Sequence, residues 1–209
     1  MRKANLERKT KETEIKVSLN IDGQGDSEIK TGIDFLDHML TLFAFHGLFD
    51  LNIQAKGDTG VDIHHTNEDM GIVLGQAFKA VLKKGIKGIR RFGFAYAPMG
   101  GALARAVVDV SGRGELHFSL LLPETPYADE AELNFELLSG ETYGLVDLRS
   151  FLEAFAKHSG ISINIGLLQK EDTHHQAEAI FKAMGIALDV ATQIDIRRKG
   201  VPSTKGVID

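Results

Sequence analysis

Asp62-Ile63-His64-His65-Thr66-Asn67-Glu68 and Asp172-Thr173-His174-His175-Gln176-Ala177-Glu178 are two copies of one pattern, Asp-x-His-His-x-x-Glu, set 110 residues apart. They hold four of the chain's eight histidines. Imidazole and carboxylate together form the donor set of a catalytic first-row metal, so a duplicated set points to two similar metal sites related by an internal symmetry.

The repeat extends outward from both copies. Downstream, Gly75/Gly185 and Ala77/Ala187 agree at the same offset. Upstream, Leu36/Leu148, Leu40/Leu152, Phe43/Phe155, Ala44/Ala156, His46/His158, Asn52/Asn164 and Ile53/Ile165 agree at an offset of 112, which places a two-residue indel in the intervening loop. Earlier still, Ile21-Asp22-Gly23-Gln24-Gly25 parallels Val110-Ser111-Gly112-Arg113-Gly114 at an offset of 89, because the second half carries an insertion. Residues 1–91 and 92–196 are therefore expected to be half-domain repeats, the second with an acidic, turn-rich surface excursion near 123–144. Residues 197–209 form a basic tail, expected to be mobile.

Within each half the periodicity changes in the same order. Ile15, Val17, Leu19 and Ile21 alternate with Lys16, Ser18, Asn20 and Asp22, the pattern of a half-buried strand. Gly23-Gln24-Gly25 and Gly112-Arg113-Gly114 read as hairpin turns, joining strands at 14–22 and 27–31 and at 102–110 and 115–122, with a further strand before each hairpin. Asp34 is expected to cap a helix with Leu36, Leu40 and Phe43 on its apolar face, ended by Gly47, and the twin helix to run over 146–158 and stop before Gly160. Strands follow at 51–55 and 162–167, and each His-His-x-x-Glu segment opens a second helix, running toward Gly85 and toward Asp195. The prediction is an α+β tandem duplication, two sheets with helices on one face.

Bulk composition narrows the functions. A length of 209 residues with 43% hydrophobic content allows a sizeable shared core and excludes a disordered chain. The net charge of −5 argues against a general nucleic-acid binder. There is no cysteine, so any metal ligands are N and O. No apolar stretch resembles a signal peptide or a membrane span, and a cytoplasmic enzyme is expected.

At the first turn of a helix, His64 and Glu68 face one way, and His65 with Glu68 faces a direction about 100° around the axis. Adjacent histidines are poorly placed to chelate one ion, so His64 and His65, and likewise His174 and His175, are expected to serve different metals. Each turn supplies too few ligands to close a site, and the remainder must come from the other half or from a neighbouring subunit. His38 is the leading further ligand, with His46 and His158 behind it, and Asp62 and Asp172 are expected to orient imidazoles.

Asp34-Phe35-Leu36-Asp37-His38-Met39-Leu40, the two heptapeptides, Arg91-Phe92-Gly93, Asp109-Val110-Ser111-Gly112-Arg113 and Ser203-Thr204-Lys205-Gly206 together resemble the imidazoleglycerol-phosphate dehydratase family. The resemblance covers essentially the whole chain, and the monofunctional form, without a fused histidinol-phosphatase domain, is expected. It implies half-domains of the ribosomal protein S5 domain 2-like kind and a lyase converting imidazole glycerol phosphate to imidazole acetol phosphate in histidine biosynthesis. It also implies two Mn2+ per subunit and a homo-oligomer of 24 chains. By position, the metal ligands fall on His38, His64, His65, Glu68, His174, His175 and Glu178, with His38, His65 and His175 also catalytic. Glu12 takes the proton-transfer role at the substrate, and Arg91, Arg113, Lys182, Ser203, Thr204 and Lys205 hold the phosphate.

One position departs from the family. The twin of His38 is Ser150, where members of the family carry His or Glu, and a serine hydroxyl is a poor manganese ligand. Glu153, one turn along the helix, or water could take its place.

The implied chemistry suits these ligands. The proton to be removed has no neighbouring carbonyl, so the substrate's ring must relay electrons, as a metal-stabilised imidazolate passing through a diazafulvene-like intermediate. Two rival readings stand on the residues alone: a dinuclear hydrolase of a phosphorylated small molecule, and a nucleic-acid or scaffold module, which the acidic charge and paired histidines oppose.

Overall fold

The computed structural model describes residues 1–57, 62–120, 134–136 and 142–208. Three strands open the chain, β1 (Lys3–Lys9), β2 (Thr13–Asn20) and β3 (Ser27–Lys30), followed by α1 (Asp34–Gly47), β4 (Asp50–Gly57) and α2 (Ile63–Gly85). The order then recurs as β5 (Phe92–Met99), β6 (Ala102–Asp109) and β7 (Leu116–Leu120), then α3 (Leu145–Ser159), β10 (Ser162–Gln169) and α4 (Thr173–Thr192). A small antiparallel pair, β8 (Asn134–Glu136) and β9 (Thr142–Gly144), precedes α3.

The two sheets have matching topologies, β1-β2-β4-β3 and β5-β6-β10-β7. The hairpins expected from the Gly-x-Gly turns do not form. β4 lies between β2 and β3, antiparallel to one and parallel to the other, and β10 separates β6 from β7 in the same way. Each Gly-x-Gly segment is a connection that steps over one strand position, leaving a slot for a strand that arrives after a helix. Strand composition alone cannot distinguish this from a hairpin.

Ile15, Val17, Leu19 and Ile21 point into the core, and the alternation along β2 is the buried–exposed pattern of a one-sided sheet. The second sheet lines its inner face with smaller residues, Ala95, Ala97, Ala102, Ala104 and Ala106, and α4 lies on it closely enough that a Cβ on Gly93 would collide with the α4 backbone at Ala187. α1 and α2 cover the first sheet and α3 and α4 the second; α1 packs on α4 and α2 on α3, so the helices are enclosed between the sheets.

The internal symmetry is visible at these helix crossings. A Cβ on Gly185 would stand 2.5 Å from the carbonyl oxygen of Phe43, and one on its twin Gly75 would stand 2.7 Å from that of Phe155, the twin of Phe43. The rings of Phe43 and Phe155 lie 6.5 Å apart, and equivalent residues meet only near the axis relating the halves.

α1 and α3 both end on a left-handed residue, Leu48 (φ 55°) and Gly160 (φ 73°), again 112 positions apart, which fixes the register of the two helices. Gly47 therefore does not supply the left-handed stop; it lacks a side chain because the Phe49 ring and the Gly185 carbonyl leave no room for one. Asp34 is likewise not the cap. Ile33 occupies that position, and Asp37 binds back to the backbone N–H and hydroxyl of Thr31 instead.

Much of the excursion expected over 123–144 lies outside the described residues. Its end is not surface: Tyr143 is fully buried and donates a 2.9 Å hydrogen bond to Asn67 Oδ1 on α2. In the tail, Gly88 N–H donates to the Gly200 carbonyl and Arg91 to that of Pro202, so this segment lies along the α2–β5 connection.

Candidate metal centre and anion pocket

Asp62 and Asp172 are the N-caps of α2 and α4, accepting hydrogen bonds from the backbone N–H groups of His64 and His175. Their first task is thus to start the helix at the right residue, which places the paired histidines on an exposed first turn. Asp172 also contacts His175 Nδ1 at 2.5 Å, whereas the hydrogen bond found at Asp62 goes to backbone. The backbone N–H of His175 is the main influence holding Asp172 below the usual carboxylate range.

α1 and α4 bring three of the sequence-predicted ligands together. His38 Nε2 lies 2.6 Å from Glu178 Oε1 and His174 Nε2 lies 3.3 Å from the same oxygen, and the ligand atoms of the three residues all fall within 4.8 Å of one another. Phe35 presents its edge to the His174 ring at 5.4 Å. Glu178 is only 4% exposed, and its second oxygen, Oε2, has no hydrogen-bond partner; the Lys182 ammonium stands 3.8 Å away. Burial is the largest single influence on Glu178 and pushes its pKa up. The His38 hydrogen bond and the charges of Lys182, His174 and His38 together outweigh it, so the carboxyl is held below its ordinary range. A buried, ionised carboxylate with an unsatisfied oxygen and two imidazoles converging on it fits a divalent transition metal.

The α2 copy is arranged differently. His64 Nε2 and Glu68 Oε2 are 3.7 Å apart, and Glu68 is half exposed where Glu178 is buried. Ser150 stands at the position equivalent to His38, and Glu153 is turned to Arg149, which donates to it at 2.9 Å. Within each pair the rings diverge, with centroids 6.4 Å apart for His64 and His65 and 6.0 Å for His174 and His175. His175 groups instead with Asp172 and Glu171, the last a residue that sequence reasoning missed. His46 and His158 belong to neither candidate group among the described residues; burial lowers the pKa of both.

Arg91, Arg113, Ser203, Thr204 and Lys205 do converge, around a pocket of 250 Å³ that Ser111 also lines. Arg91 adopts a left-handed φ of 77°, unusual for a side-chain-bearing residue, and is held there by its N–H to the Ala191 carbonyl and by the Val110 N–H to its own carbonyl. The conformation directs the guanidinium to both oxygens of Asp109 and to the Pro202 carbonyl. Asp109, missed as a site residue although it lies in the quoted Asp109–Arg113 run, raises the Arg91 pKa through that hydrogen bond. Lys182 does not line this pocket; it stands between Glu178 and Met99. Glu12 is exposed in the turn between β1 and β2. The turn is tied to α2 by Thr13 and Arg8, both bonded to Asp69, the neighbour of Glu68.

Two separate constructions therefore sit on one duplicated α+β scaffold, a His/Glu centre suited to a divalent metal and a cationic pocket suited to an anion. Residues 31–188 match the family model described as imidazoleglycerol-phosphate dehydratase. The chain is 52% identical to the imidazoleglycerol-phosphate dehydratase of Thermoanaerobacter sp. (strain X514) over 209 residues, 100% of both chains. It is 50% identical to that of Pelobacter propionicus over 208 residues, 99% of each. Among solved structures it resembles the Staphylococcus aureus enzyme with a TM-score of 0.74 and 36% identity, covering 92% of this chain and 99% of that one. It also resembles the Pyrococcus furiosus enzyme in complex with (S)-C348, with a TM-score of 0.76 and 35% identity, covering 97% and 99%. The chain belongs to the imidazoleglycerol-phosphate dehydratase family and is a lyase of histidine biosynthesis.

Proposed function

We propose that this chain dehydrates imidazole glycerol phosphate to imidazole acetol phosphate at a centre of two divalent metal ions per subunit, manganese in the cell, built from His38, His64, His65, Glu68, His174, His175 and Glu178. The observation that carries the reading is buried Glu178, with His38 and His174 converging on one oxygen and the other left unsatisfied. The ions, when bound, would supply positive charge that favours the imidazolate form of the substrate's ring, whose own electrons expel the neighbouring hydroxyl. Arg91, Arg113, Ser203, Thr204 and Lys205 bind the phosphate through charge-assisted hydrogen bonds and so fix the ring's distance from the centre. Glu12 takes the proton from the carbon next to the one that loses hydroxyl; the resulting enol becomes the ketone and water leaves. Lys182, 3.8 Å from the Glu178 carboxylate, adds to the His38 hydrogen bond in keeping it ionised.

His65 and His175 diverge from their neighbours, and on this reading they serve ions on adjoining subunits, which couples metal binding to a closed assembly of 24 chains. Sharing ligands between subunits also explains why the metal centre and the anion pocket are separate groups of side chains on one chain.

The test is to strip the enzyme with a chelator, assay conversion of imidazole glycerol phosphate through the ketone's absorbance after alkali, and add Mn2+ back while following particle mass. Activity should vanish and return with manganese, and the mass should follow. Full turnover by the stripped enzyme rules the reading out.

A further inference from the structure

The two halves are not equally equipped. At the α1–α4 crossing, His38 joins His174 and Glu178, and at the α2–α3 crossing the same helix position holds Ser150 beside His64 and Glu68. The register is fixed by structure as well as sequence, since the left-handed ends Leu48 and Gly160 and the close-approach points Phe43 and Phe155 all lie 112 residues apart. Nothing nearby on α3 replaces the missing imidazole: Glu153 is exposed and bonded to Arg149.

The carboxylates differ too. Glu178 has a side-chain exposure of 6% and one oxygen without a hydrogen bond, whereas Glu68 is 51% exposed and therefore solvated. A charge attracts a cation far more strongly where water is excluded, so the same Glu contributes less in the α2 copy.

We propose that this chain holds its two ions unequally: one tightly, on His38, His174 and Glu178, and one loosely and exchangeably, on His64 and Glu68 with Ser150 in place of the third ligand. The inference rests on the metal reading given under Proposed function. A neutral hydroxyl is a weaker donor to a divalent transition metal than imidazole. Losing even an indirect support of a metal ligand costs roughly ten- to a hundredfold in affinity, so losing a direct ligand costs at least that. The loose ion is the one whose occupancy rises when substrate supplies further donors, because coupling between two bound ligands is reciprocal.

The test is equilibrium dialysis of the chelator-stripped full chain against buffered Mn2+, with metal per chain measured by mass spectrometry and bound Mn2+ followed by electron paramagnetic resonance. The native chain should fill in two steps of one ion each, separated by at least about tenfold in free Mn2+. Ser150→His should move the weaker step toward the tighter one, and Ser150→Glu, which adds a carboxylate donor in place of an imidazole, should do so in part. His38→Ser should abolish the tight step. A single step of two ions in the native chain overturns the inference, as does a weaker step that neither Ser150 variant moves while circular dichroism shows both folded. A native chain that takes up no ion overturns the metal reading itself, and this inference with it.

Discussion

Gly185 lies where the fold sets the geometry of the proposed metal centre, and replacing it by alanine tests that connection. The new Cβ would stand 2.5 Å from the Phe43 carbonyl oxygen and 3.1 Å from the Gly47 nitrogen, both backbone atoms that no rotamer change can move. Ordinary van der Waals contact begins near 3.4 Å, so α1 and α4 must separate by about 0.9 Å at the crossing. Overpacking of this kind costs about 1–3 kcal/mol. For a chain of this size each kcal/mol lowers Tm by about 2–4 °C, so the expected drop in chelated protein is roughly 2–12 °C.

The same displacement acts at the site, because His38 and Glu178 lie on those two helices with Nε2 and Oε1 2.6 Å apart. An opening of about 0.9 Å takes that pair to the limit of hydrogen bonding, and Mn2+ affinity at the tight site should fall at least roughly tenfold. Gly75→Ala is the control. It meets Phe155 and Ser159 at 2.7 and 3.0 Å and should cost similar stability while sparing the tight site. Calorimetry and Mn2+ dialysis on both variants decide the matter: a Gly185→Ala protein with native Tm and native tight-site affinity refutes the claim that the glycine crossing sets the ligand geometry.

Tyr143→Phe removes the donor to Asn67 Oδ1 in a fully buried setting and should cost about 1–3 kcal/mol in urea denaturation, since the amide oxygen is left without a partner; an unshifted midpoint would show that the contact does not anchor the segment before α3. Arg91→Ala should raise KM for the phosphorylated substrate with bound metal unchanged, and loss of metal in this variant would mean that the anion pocket and the metal centre are not separate constructions. Glu12→Gln should lower kcat by about 10²- to 10⁴-fold while leaving metal content and Tm as they were. A native kcat moves the proton-transfer role elsewhere.

Periodicity made the helices and most strands legible, because a stripe such as Leu36, Leu40 and Phe43 or an alternation such as Ile15, Val17 and Leu19 has one packing solution. Strand order was not legible. Whether Ser27–Lys30 pairs with β2 or leaves room for β4 is decided by where α1 delivers the chain, and no local pattern at Gly23 or Gly112 records that. The ends of α1 misled for a related reason, since Gly47 serves a contact with Phe49 and Gly185 from outside its own helix. At the site, the duplicated heptapeptides announced their donor atoms, but the joining of His38 to Glu178 depends on the glycine crossing of α1 with α4. Glu171 and Asp109 carry no repeated pattern of their own and are found only from their contacts.

Consecutive residues on a helix point about 100° apart, and the ring centroids within the two histidine pairs stand 6.4 and 6.0 Å apart, so the imidazoles of a pair are poorly placed to share one ion. Under the proposed function the second imidazole of each pair faces outward to complete a neighbour's site, so the subunit contact and the metal are parts of one equilibrium. It follows that the half with Ser150 depends more on its neighbour than the half with His38. Dilution of metal-limited enzyme should therefore release the loosely held ion before the tight one, and simultaneous loss of both would separate the metal from the assembly.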